Sequence, residues 1–111
     1  MIQAVYDRDE NRITIKGHAY SGEPGHDLIC ASASMLVYTL AASVESMNRH
    51  GHISDGVIDI NTGDCVVSCE PLEQFKGAIT LIFDSICAGY ELLAANYPDN
   101  VSYTVNSKTS I

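Results

Sequence analysis

Ile2, Ala4 and Tyr6, and again Ile13, Ile15 and Gly17, alternate with other residues, the two-residue period of half-buried strands. The polar stretch from Asp7 to Asn11 between them reads as a charged hairpin loop, so the first two strands are expected to pair antiparallel. From Leu28 to about Arg49 the period changes. Ile29, Ala33, Leu36, Val37, Leu40, Val44 and Met47 recur as one face of an amphipathic helix, and Gly51 supplies a stop. Val57 to Ile60 and Cys65 to Glu70 then flank Asn61-Thr62-Gly63-Asp64, a hairpin signal with glycine where a positive φ is wanted, and Pro71 ends the second strand.

A second helical stripe follows: Phe75, Ile79, Ile82, Phe83, Ile86, Tyr90, Leu93, Ala94 and Tyr97, ending ahead of Pro98. Val101, Tyr103 and Val105 alternate as a last strand. The expected order is ββαββαβ, a five-stranded sheet covered by two long helices in an α/β (α+β) sandwich. Residues 1–105 form one domain, and the polar tail from Asn106 to Ile111 is expected to fray.

Composition narrows the class. A chain of 111 residues, 46% hydrophobic, supports one continuous core and not two. It has no charged-then-apolar start of the signal-peptide kind and no unbroken apolar run of bilayer length, so a cytoplasmic protein without a membrane partner is expected. Four cysteines in that compartment read as thiols rather than disulfides. Cys65, Cys69 and Cys87 show no C-x2-C spacing and read as structural. Fourteen acidic against six basic residues give a net charge of −8, which repels a phosphate backbone and argues against direct nucleic-acid binding. The same charge attracts a basic protein.

The chemistry concentrates between Gly17 and Ser34. A loop of Tyr20, Ser21, Gly22, Glu23, Pro24 and Gly25 leads to Asp27, read as the N-cap of the first helix, which puts Cys30 at the third helical position. There the free amide hydrogens and the helix dipole favour a thiolate. His18 and His26 lie upstream as alternative bases for the thiol. Ser34, four residues beyond Cys30, shares its helix face and either orients substrate or bonds back to its own helix. Asp27 either caps the helix or orients His18; its negative charge would oppose a thiolate, which favours the cap. His18, His26 and Cys30 lack a fourth partner for a metal, and His50 and His52 suit a helix C-terminus as cations, so no metal and no cofactor is expected.

The spacing His18, Asp27, Cys30, Ser34, with Gly17 and Ala19 flanking the histidine, resembles the signature of the bacterial ribosomal-processing cysteine proteases called Prp. The resemblance implies a cysteine endopeptidase that removes the N-terminal extension of a large-subunit ribosomal protein. By the same resemblance Cys30 is the nucleophile, His18 its base, Gly17, Asp27 and Ser34 supporting residues, and the chain a homodimer. His26 beside Asp27 and the Cys30–Ser34 run CASAS depart from the family pattern. The loop from Tyr20 to Gly25 is expected to close over an extended peptide. The competing reading is a non-catalytic acidic module that binds a basic ribosomal protein, with Cys30 merely packed.

Overall fold

Strand alternation decides which side of the sheet is covered. In β1 (Ile2–Asp7) the residues Ile2, Ala4 and Tyr6 are buried, and in β2 (Arg12–Lys16) so are Ile13 and Ile15. Gln3, Arg12 and Lys16 point to the opposite, uncovered face. The structure, a computed structural model, describes residues 1–18 and 26–108, the side chains at 26 and 27 excepted. The loop from Tyr20 to Gly25 lies outside the described residues.

The remaining elements are α1 (His26–Arg49), β3 (Ile53–Asn61), β4 (Asp64–Pro71), α2 (Lys76–Asn96) and β5 (Val101–Asn106). The five strands form one sheet in the order β3-β4-β2-β1-β5, antiparallel except for the parallel β1–β5 pair. Both helices lie against the buried face and touch each other, giving the expected two-layer α+β sandwich. Ile29, Ala33, Val37, Leu40, Ala41, Val44 and Met47 of α1 meet Ile79, Phe83, Cys87 and Tyr90 of α2 over that face.

Two sequence expectations are corrected. β3 begins at Ile53, four residues before the expected Val57, because an edge strand with an uncovered surface tolerates Ser54, Asp55 and Gly56 without alternation. The last strand reaches one residue further than expected: β5 includes Asn106, its amide donates to the Asp7 carboxylate at 2.9 Å, and the backbone N–H of Lys108 donates to the Asp9 carboxylate, while residues 109–111 of the expected tail lie outside the described residues. Both helices are also long and apolar enough by composition to span a bilayer, since their small residues keep the mean hydropathy high; here they pack a face on the sheet.

Away from the candidate site, Asn11 adopts a left-handed φ of 47°, is buried, and donates to the Thr80 hydroxyl at 3.1 Å. The guanidinium of Arg8 holds both Asp84 carboxylate oxygens, and the Tyr6 hydroxyl donates to one of them at 2.8 Å. Arg8 therefore keeps the Asp84 carboxyl below the usual carboxylate range, while burial, followed by the bond to Asp84, pushes the Tyr6 phenol up.

Candidate active site

β2 is followed by a glycine for a steric reason. Gly17 has φ +93°, and a side chain there would put a Cβ 2.1 Å from the Met1 carbonyl oxygen. The turn it permits sends the chain off the sheet at His18. A second glycine meets it: the Gly17 N–H donates to the Gly63 carbonyl at 3.0 Å, and Gly63 has φ +75° in the β3–β4 turn, as its place in the hairpin predicts. The pairing of Lys16 with Asp64 brings this turn beside His18.

α1 delivers the thiol from the other side. Because α1 spans His26–Arg49, Asp27 sits within the first helical turn and not ahead of it as a cap, and Cys30 is the fifth helical residue, not the third. An aspartate favours the positive end of the helix dipole from either place, so residue type alone does not separate them. The Cys30 amide now has the His26 carbonyl as its in-helix partner, and the uncommitted amides lie before it. Cys30 itself is half-buried against the core.

One cavity of about 320 Å³ receives both parts. Gly17, His18, Cys30 and Ser34 line it, with Tyr38 on the same helix and the turn residues Thr62, Gly63 and Asp64 opposite. Its apolar floor is Ile2, Ile15, Val37 and Ile60. Ser34 is exposed, and its hydroxyl makes no hydrogen bond among the described residues. Ser32, by contrast, donates back to the Leu28 carbonyl at 2.7 Å.

A second thiol, Cys65, shares the cavity. Cys65 Sγ donates to the Asn61 carbonyl at 3.3 Å, and burial, reinforced by the nearby Asp64 and Asp59 charges, pushes its thiol up. Burial likewise raises Cys69 to about 11 and Cys87 to about 12, which keeps both protonated and inert. All four cysteines are free, and no cluster suited to a metal ion occurs among the described residues.

Sequence reasoning missed the hairpin's share of the site. Asn61-Thr62-Gly63-Asp64 is legible as a turn, but its position against His18 comes from the β2–β4 register, which crosses the whole of α1. Tyr38, one helical turn beyond Ser34, carried a signal in its spacing from Cys30. His26 begins α1, so whether it or His18 serves the thiol is settled by experiment.

The family model described as cysteine protease Prp matches residues 1–102. No curated protein matches. Among solved structures, the chain is similar to SMU.848 from Streptococcus mutans, at 26% identity and a TM-score of 0.66, over 95% of this chain and 93% of that one. Two structures of the essential ribosomal processing protease Prp from Staphylococcus aureus share the fold over 95% of this chain and 97% of theirs. One holds a covalently linked product peptide, at 21% identity and a TM-score of 0.64; the other holds a substrate peptide, at 16% identity and 0.67.

Proposed function

Since the chain belongs to the Prp family of cysteine proteases, we propose that it is a cytoplasmic endopeptidase that removes the N-terminal extension of a large-subunit ribosomal protein. The observation that carries this reading is that His18 and the half-buried Cys30, from separate elements, line one cavity with Gly17 and Ser34. The related Staphylococcus aureus enzyme is a ribosomal processing protease and has been seen with substrate and product peptides. The charge of −8 suits a basic ribosomal substrate.

In this reading His18 takes the proton from the Cys30 thiol, and the sulfur attacks the scissile carbonyl carbon. The resulting oxyanion is met by uncommitted amides at the start of α1. The C–N bond breaks as the imidazolium returns its proton to the leaving amine. Water then attacks the thioester with His18 again accepting a proton, releasing the new carboxylate and restoring the thiol. Asp27 supports the helix end, Ser34 contacts substrate, and the loop from Tyr20 to Gly25 closes over the peptide.

The enzyme acts as a homodimer in this proposal. Leu28, Met35, Leu81 and Leu92 are exposed on the outer faces of the two helices, and a groove between them is lined by Leu28, Met35, Leu36, Gly89 and Leu93. Such an apolar area suits a second copy of the chain.

The deciding experiment incubates wild type and Cys30→Ala with a basic ribosomal-protein N-terminal extension peptide and reads the products by mass spectrometry. A single cut by wild type that vanishes in Cys30→Ala supports the reading. Binding without cleavage by either protein would return Cys30 to a packing role and leave a non-catalytic module.

A further inference from the structure

We infer that Gly63 is a positioning residue for the imidazole of His18. The inference rests on the proposed role of His18 as base. A Cβ on Gly63 would lie 2.6 Å from His18 Nε2, 3.0 Å from Cε1 and 3.5 Å from Cδ2. Those distances are below or at the limit of contact, so the ring occupies the volume that any other residue's side chain would fill. The same turn is tied to the neighbouring residue through the 3.0 Å bond from the Gly17 N–H to the Gly63 carbonyl. The hairpin therefore fixes the backbone ahead of His18 and seats its ring on the bare face of one glycine.

The atoms in the way are those of a side chain, not of the backbone. A Cβ at position 63 is accommodated by turning the imidazole about its own torsions, with no backbone atom among those it meets. In the proposed reaction it costs much, because a base displaced by about 1 Å is no longer held where the proton is transferred. Gly63 thus has two separable roles: its positive φ serves the turn, and its missing side chain serves His18.

Gly51 separates them experimentally. It has φ +72°, close to the +75° of Gly63, but no atom lies within 4 Å of where its Cβ would be. Gly51→Ala therefore carries the same backbone strain without touching the site. Gly63→Asn is the companion variant, since asparagine tolerates the left-handed region while keeping the obstructing Cβ. Two quantities are measured on each: kcat and KM for the extension peptide, and the pH dependence of Cys30 alkylation by iodoacetamide, followed by mass spectrometry of the Cys30 peptide.

Gly63→Ala and Gly63→Asn are expected to lose at least tenfold in kcat with KM changed less than about twofold, and to alkylate with the profile of His18→Ala. Gly51→Ala keeps wild-type kcat and profile. Wild-type kcat and alkylation in either Gly63 variant, with His18→Ala inactive, would overturn the positioning role alone. Full cleavage by His18→Ala would remove the base assignment and the positioning role with it.

Discussion

The Tyr90 hydroxyl donates to the Ala33 carbonyl at 2.6 Å, three residues beyond Cys30 and in the buried seam between the helices. This bond gives the Cys30-bearing end of α1 a fixed depth against α2. Tyr90→Phe is expected to cost about 1 kcal/mol, because the Ala33 carbonyl keeps its helical partner and only the added bond is lost. A urea titration reads the stability change. If cleavage under saturating peptide falls more than the unfolded fraction explains, the bond also holds the site.

Gly89 allows α2 to approach α1 closely, since a Cβ there would lie 2.6 Å from Leu36 Cδ2 and 2.9 Å from Cδ1. Gly89→Ala gains about 1 kcal/mol in helix propensity but incurs an overpacking cost of about 1–3 kcal/mol. In a Leu36→Ala background the clash is gone, and the same change should stabilise. Thermal melts of the four proteins in the cycle measure the coupling, and simple additivity would contradict the close packing.

His18→Ala is expected to reduce kcat by about 10²–10⁴, the usual range for a positioned base. His26→Ala should retain most activity. Steady-state cleavage by the two variants assigns the base, and the opposite ranking would transfer the role to His26.

The depressed carboxyl of Asp84 makes part of the stability acid-sensitive. The folded state binds this proton less readily than the unfolded state, so the contribution is complete above the ordinary value of 3.8 and is lost as pH falls through the lower folded value. Arg8 and Asp84 side chains are 42% and 34% exposed, so screening holds Asp84→Asn to about 1 kcal/mol at neutral pH. Urea midpoints measured from pH 6 to pH 3 should fall less steeply for the variant than for wild type. Parallel curves would show that the carboxylate contributes nothing at acid pH.

Leu28→Glu and Leu92→Glu place charges on exposed apolar positions of α1 and α2. Sedimentation velocity is expected to show a dimer for wild type and a monomer for each variant. A monomeric wild type at micromolar concentration would remove the dimer from the proposed function.

The sheet and both helices were legible because their apolar positions keep a period: Ile79, Phe83, Cys87 and Tyr90 of α2 are buried, as a helical face requires. The residues of the candidate site were legible where they are close in sequence, as Gly17, His18, Cys30 and Ser34 are, and the structure brings these four to one cavity. Gly63 and Asp64 were not, because their place beside His18 follows from a strand register that pairs Lys16 with Asp64, 48 residues on. The extent of β3 was hidden as well, since Ser54 and Asp55 reveal no period when neither face of an edge is fully covered. The helix start was misread by two residues at Asp27, whose charge suits a cap and a first turn alike.

The parallel pairing of β1 with β5 places Ile2 beside Val101 and Asp7 beside Asn106. During translation at about 5–20 residues per second, β1 leaves the ribosome roughly 5–20 s before the strand that completes its outer edge. Ile2 is part of the floor under His18 and Cys30. A chain emerging from the ribosome thus carries Cys30 and His18 for some time before the sheet beneath them is finished, and the cavity floor gains its last neighbouring strand only once β5 has been made.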